Sequence, residues 1–291
     1  MTKIHLETFG KGKPIVLVHG WAMHTGIWRK FAQQLALNYQ VICIDLPGHG
    51  RSETIDPFTL ERISDELVNI IPPSPPFSKG GELPFLPLQK EEECTFPPFE
   101  KGGLGGICWL GWSLGATIVL DIAARYPDRV SSLILLAGNP LFSNSNSKTQ
   151  TEWPGMDVRL LGNFAEHLNK NCQSTLLRFL SLQVNGMPDR KDLLKALKAA
   201  VFECDAPDTN TLQGGLDILK QTDLRLVLSG LTIPVSVILG GLDTLVPVAV
   251  GQKMQQLLPN LQLNIIDRAG HVPFLSHSQE TLAIISRFMD K

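Results

Sequence analysis

Short, unbroken apolar runs alternate along most of this chain with longer stretches in which apolar and polar residues recur at a helical period. The runs fall at 15–18, 41–44, 107–110, 133–136, 235–239 and 261–266. They are too short for ordinary helices, and all but 261–266, where Gln262 and Asn264 intervene, lack in-out alternation, the pattern of strands buried on both faces of a parallel sheet. The residues around His5 also lead directly into a strand-like stretch. The amphipathic segments predict helices over about 26–37, 59–71, 114–126, 247–258 and 279–289. Strands that alternate with helices imply an α/β fold: a mostly parallel central sheet with helices on both faces.

This rhythm breaks twice. From 139 to 230 the strand signal disappears, and polar helical segments at 159–168, 175–183 and 190–202 replace it. We read 139–230 as a helical cap inserted into a sheet domain made of 1–138 and 231–291. A cap over strand ends excludes water and shapes a pocket, so it sets specificity more than chemistry. The second break, 72–106, is rich in proline and glycine. Its Pro-Pro-Phe-Ser-Lys-Gly-Gly at 75–81 is echoed by Pro-Pro-Phe-Glu-Lys-Gly-Gly at 97–103, and charges cluster at Lys90, Glu91, Glu92 and Glu93. Such a segment cannot bury enough apolar surface to order itself, so a disordered insertion is expected, at the end of its strand remote from the strand's carboxyl end.

Composition narrows the function classes. The chain has 291 residues, 43% of them hydrophobic, enough for one large core or a core plus a smaller domain. With 26 Lys+Arg against 28 Asp+Glu the net charge is −2, so no global field attracts nucleic acid or an anionic membrane. No apolar run approaches the ~20 residues needed to span a bilayer, and no signal-peptide core is present. Cys43, Cys94, Cys108, Cys172 and Cys204 are odd in number, scattered and without a Cys-x-x-Cys pair, which argues against a disulfide framework and a zinc site. A reducing, cytoplasmic setting is therefore expected, with no metal. Glycine-rich phosphate loops in a strand-to-helix context are absent, so nucleotide cofactors have no support either.

The chemistry concentrates at Gly111-Trp112-Ser113-Leu114-Gly115, directly after the 107–110 run and before a helical segment that closes at Tyr126-Pro127. A strand turning at once into a helix strains the serine backbone, and side chains at either glycine would strike the neighbouring strand and helix. The hydroxyl is then presented at the top of the sheet as a nucleophile. A serine alcohol needs a base, and the base an orienting acid. Of seven histidines, His271 follows the last strand in Ala269-Gly270-His271-Val272-Pro273-Phe274; His19 is read as shaping a turn through backbone hydrogen bonds. Asp243, in the tight loop Gly240-Gly241-Leu242-Asp243 after the 235–239 strand, lies between Ser113 and His271 in chain order and is the expected acid, with a helix cap as its competing role. Two main-chain donors should face the developing oxyanion, the N–H groups of Leu114 and Trp21. Asp45 is assigned to fixing its own loop.

These pieces resemble the α/β-hydrolase superfamily over all of the chain except 72–106. Within it the chain is similar to the pimeloyl-[acyl-carrier protein] methyl ester esterases of biotin synthesis, through His19-Gly20-Trp21, Trp109-Leu110-Gly111-Trp112-Ser113-Leu114-Gly115, Glu152-Trp153-Pro154-Gly155, Arg178-Phe179-Leu180, Gly214-Gly215-Leu216-Asp217-Ile218-Leu219-Lys220 and His271-Val272-Pro273-Phe274. The resemblance implies a monomeric, cofactor-free serine carboxylesterase acting on a methyl ester carried by an acidic acyl-carrier protein, with Trp21, Leu114 and Phe179 as the oxyanion- and substrate-binding residues. Arg178, Arg190, Lys191 and Lys195 give the cap a basic face for that carrier, although lysine lacks the planar fork with which arginine grips phosphate or carboxylate. Other readings of the same residues are a general short-chain carboxylesterase, a carbon–carbon bond hydrolase, a menaquinone-pathway lyase, or a noncatalytic ligand receptor on the same fold.

Overall fold

The computed structural model describes residues 2–71, 106–144 and 153–291. Seven strands, β1 (Leu6–Phe9), β2 (Pro14–Val18), β3 (Gln40–Ile44), β4 (Ile107–Trp112), β5 (Val130–Leu136), β6 (Val235–Gly240) and β7 (Gln262–Ile266), form one sheet in the order β1-β3-β2-β4-β5-β6-β7. β1 runs antiparallel to β3, with Leu6 opposite Ile44, and every other pairing is parallel. After β2 the chain builds β3 on one side and then returns to lay β4 on the other. The connections leaving β2 and β4 therefore diverge and open a crevice at the carboxyl ends of these strands, where open α/β sheets bind ligands.

Each buried strand feeds two cores because its side chains alternate between faces. Ile15, Leu17, Val41 and Leu110 pack with Phe31, Leu35 and Ile285 from α1 (Arg29–Leu35) and α11 (Ser278–Met289). Val16, Val18, Ile42 and Leu133 pack on the opposite face with Ile63, Leu67, Ile118 and Met254, contributed by α2 (Leu60–Ile70), α3 (Leu114–Arg125) and α9 (Val248–Leu257). Full burial of each such side chain contributes about 1.5–3 kcal/mol relative to exposure. The elements expected from the hydrophobic pattern are thus present, with small differences. The 26–37 helix begins as a 3-10 turn, Thr25–Trp28, in which the His24 ring accepts the Gly26 N–H.

Between β5 and β6 the chain forms α4 (Val158–Lys170), α5 (Cys172–Gln183), α6 (Arg190–Val201), α7 (Thr209–Gln221) and α8 (Arg225–Gly230), and before α11 lies the short α10 (Pro273–Ser276). α7 and α8 had no individual sequence signal, because Gly214 and Gly215 weaken the helical pattern of α7. Gly215 is there for space: a Cβ would come within 2.6 Å of Trp21 Cδ1. This segment is fastened to the sheet by Arg29, which pairs Glu203 through two bonds of 3.1 and 2.5 Å and holds that carboxyl below the usual range. The His24 ring adds a donor to the Ala200 carbonyl at 2.5 Å.

The insertion expected at 72–106 falls, apart from Gly106, outside the described residues, as do Cys94 and Glu152. Its flanks are well anchored. The Arg129 guanidinium donates to the carbonyls of Val68, at 3.0 Å, and Ile71, while the Trp109 indole donates to the Arg129 carbonyl. The end of α2 and the start of β4 are therefore tied together at the pole of the sheet opposite the crevice. Cys43 and Cys108 are buried free thiols, and Cys172 and Cys204 are partly buried ones. Among the described residues no helix is long and apolar enough to cross a membrane.

Candidate active site

Ser113 is the single residue between β4 and α3, and it carries the strain expected of that turn. Its φ of 55° and ψ of −117° lie where residues with a Cβ are rarely found, a conformation that costs about 1–3 kcal/mol. Neighbours hold it there: its N–H donates to the Leu136 carbonyl at 3.1 Å, and its carbonyl accepts from Ala116 at 2.9 Å. Both flanking glycines are required by close backbone approach. A Cβ on Gly111 would overlap the Gly115 carbonyl, and one on Gly115 would overlap the Val18 carbonyl of β2. Gly20, on the loop leaving β2, lies across the crevice with its Cβ position 3.2 Å from Ser113 Cβ.

The crevice brings Ser113, His271 and Asp243 into one hydrogen-bonded chain. His271 Nε2 lies 2.9 Å from Ser113 Oγ, and His271 Nδ1 lies 2.8 Å from Asp243 Oδ2. A carboxylate only accepts, so the ring proton sits on Nδ1 and leaves the Nε2 lone pair for the serine hydroxyl. Asp243 is fixed by its other oxygen, which accepts the N–H groups of Leu245 at 2.8 Å and Val246 at 3.0 Å. The competing role of helix cap is not taken, for α9 starts after Pro247 without a side-chain cap. The main chain of His271 is pinned as well: its backbone N–H donates to the Gln183 carbonyl at 3.1 Å, and its backbone carbonyl accepts the Trp112 indole at 2.8 Å. Ser113, His271 and Asp243 are only 2%, 1% and 6% exposed, so water does not compete for these bonds.

Leu114 opens α3, so its N–H has no carbonyl one turn earlier and remains available at the helix N-terminus, beside Ser113. Trp21 follows Gly20 on the opposite wall. Its indole donates to the Leu212 carbonyl at 2.8 Å, and its ring meets Phe179 edge-on at 4.9 Å. Trp21 and Phe179, both buried, thus join the β2 loop to α5 and α7 next to the serine. Arg178 lies on the exposed side of α5 with its guanidinium 5.4 Å from the centre of the Phe164 ring, while Arg190, Lys191 and Lys195 are exposed on α6. None of these four reaches the serine, histidine and aspartate.

Other polar residues have structural tasks. The His19 Nδ1–H donates to the Gly20 carbonyl at 2.8 Å while Nε2 accepts the Leu46 N–H at 2.9 Å, so the ring bridges the loops after β2 and β3 as a neutral group. Burial, reinforced by His49, pushes it well below the usual histidine range. Burial likewise lowers His49 to about 4. Asp45 ties its loop by accepting from the N–H groups of Thr25 and Arg51 at 2.6 and 2.9 Å. Two side chains without a sequence signal emerge here. Asn139, just past β5, is buried with both amide atoms unpaired, and Gln183, whose carbonyl holds His271, has a buried unpaired Oε1. Among the described residues no three His, Cys, Asp or Glu side chains gather as a metal-ligand set.

A sheet of this order with a strained serine at the β4–α3 turn defines a class of hydrolase, and the sequence profile of the alpha/beta hydrolase fold matches residues 13–278. The chain belongs to that family. It is 35% identical over 286 residues to the pimeloyl-[acyl-carrier protein] methyl ester esterase of Methylococcus capsulatus, covering 98% of each chain. Proteins of the same name from Aliivibrio fischeri and Nitrosomonas europaea are each 33% identical, over 290 and 281 residues; the matches cover 100% and 96% of this chain and 98% and 97% of theirs. Among solved structures, the esterase of Exiguobacterium antarcticum matches with a TM-score of 0.78 at 19% identity, and a bromoperoxidase of Bacillus anthracis with 0.79 at 21%. Each of these two matches covers 100% of this chain and 96% of the other, and at such identities they speak for the fold alone.

Proposed function

We propose that the protein is a serine esterase that hydrolyses the methyl ester of pimeloyl-[acyl-carrier protein], freeing the pimeloyl carboxylate for biotin synthesis. The observation that carries the chemistry is the chain from Ser113 Oγ through His271 to Asp243, and the full-length similarity to esterases of that name supports the substrate. His271 Nε2 takes the hydroxyl proton as Ser113 Oγ attacks the ester carbonyl. The oxyanion is met by the N–H groups of Leu114 and Trp21. Collapse expels methanol, which receives the proton from His271, and water then frees the acid by the same route. Asp243 stabilises the imidazolium that forms in each half-reaction.

The sheet domain, 1–138 with 231–291, supplies this machinery in our reading, and 139–230 is a cap that places Phe179 against Trp21 over the acyl chain. The exposed Arg178, Arg190, Lys191 and Lys195 supply a basic face for the acidic carrier. We expect a cytoplasmic monomer that uses no cofactor. The deciding experiment compares hydrolysis of the pimeloyl-carrier methyl ester with that of free short-chain esters, using wild type and Ser113→Ala. A clear preference of the wild type for the carrier-linked ester, with turnover lost by about a millionfold in the variant, is expected. Full activity in Ser113→Ala, or equal turnover of both substrates by the wild type, refutes the reading.

A further inference from the structure

Asn139, three residues past the end of β5, is a buried polar side chain that the chemistry above leaves idle. It is 1% exposed, and neither Nδ2 nor Oδ1 has a hydrogen-bond partner among the described residues. Exchanging the two atoms by a flip changes nothing, since both are unpaired. Buried amides are otherwise almost always paired, because folding strips them of water.

The backbone on both sides of Asn139 is held. Ala137 donates to the Ile238 carbonyl of β6 at 2.8 Å, and Pro140 accepts from Leu224 at 2.7 Å. Gly138 packs on the first turn of α3, its Cβ position overlapping Ala116 Cβ and lying 3.6 Å from the Ser113 carbonyl. β5 stands between β4, which delivers Ser113, and β6, which leads to Asp243. Asn139 therefore leaves the sheet between the strands that lead to nucleophile and acid, at the carboxyl end where a ligand enters.

A carboxamide presents donors and an acceptor together. An ester offers only acceptors and would meet half of it, whereas a hydroxyl group meets both. Building on the serine-esterase reading, we propose that Asn139 holds the hydroxyl of the alcohol leaving during acylation and of the water attacking during deacylation. The two occupy one position by microscopic reversibility. In deacylation the water oxygen bonds to the acyl carbon and one water proton passes to His271 Nε2. The bond from that carbon to Ser113 Oγ breaks and Oγ recovers the proton from His271. The second water hydrogen is donated to Asn139 Oδ1, and an Nδ2–H donates to the water oxygen.

The test is a single-turnover reaction with p-nitrophenyl acetate, followed by nitrophenolate release and by the mass of acylated Ser113. Nitrophenolate leaves without needing a proton, so acylation by this ester does not call on Asn139. In Asn139→Leu, acylation should be little changed, deacylation should slow by about tenfold, and the melting temperature should not fall, since an unpaired polar group has been removed. Asn139→Ala gives the same kinetic readout should the leucine variant fail to fold. Deacylation at the wild-type rate in a folded variant overturns the proposal, as does equal slowing of both steps. A wild type that never acylates Ser113 instead overturns the esterase reading on which it rests.

Discussion

Asp243 shows how much chemistry a single side chain can be asked to carry. One oxygen holds its own loop through Leu245 and Val246, and the other faces His271 Nδ1. In Asp243→Asn the amide oxygen can keep the loop, but the NH₂ then opposes the ring and forces the proton onto Nε2, where it blocks the serine. We expect kcat to fall by about 10⁴ with the melting temperature nearly unchanged; unaltered turnover would remove Asp243 from the mechanism. Ser113, Asp243 and His271 were legible in the sequence because each follows a strand and their chain order suits one kind of site. Asn139 and Gln183 were not, since a missing hydrogen-bond partner is a property of packing, and no local pattern encodes it.

At the scale of elements, the runs and periods of the sequence located the strands from β2 to β7 and the helices that flank them; two-sided burial leaves a nearly uninterrupted apolar signature in β2 to β6, whereas β7, at the sheet edge, shows through Leu263, Ile265 and Ile266. β1, an edge strand of four residues, showed only as the strand-like stretch after His5. α7 was obscured by the two glycines that let it approach Phe58 and Trp21, so contact with the site erased the signal that would have announced the helix. α6 is the element on which carrier recognition is to be tested. Lys191 and Lys195 lie on its exposed side, with Arg190 at its start. Reversing both lysines to glutamate should lower kcat/KM for the carrier-linked ester by about tenfold at low salt and by less at high salt, as expected of charges that steer association. Hydrolysis of small esters should be spared, and equal losses on both substrates would place the effect elsewhere.

For the molecule as a whole, the buried histidines set a dependence of stability on pH. Folded His49 titrates at about 4, against 6.5 for an unperturbed ring, and His19 is held low by the same burial. Above 6.5 both folded and unfolded rings are neutral. As pH falls below that value only the unfolded chain takes up the proton, so stability declines towards the folded pKa by about 1.4 kcal/mol per pH unit for each ring. Urea unfolding at about pH 7 and about pH 5 should show this loss, and His49→Phe should remove one ring's share of the slope; an identical slope in the variant would rule His49 out as its source. The burial of Ser113 has a different consequence. With the serine 2% exposed, an acyl chain that needs an opening step to reach it would have its intrinsic affinity diluted by the population of the open form. Were that form one molecule in about a hundred, binding would weaken by about 100-fold, and a carrier that bound only the open form would restore that factor. On the proposed reading, preference for carrier-borne esters would then be a coupling between two sites, with the carrier touching none of the groups that cut the bond.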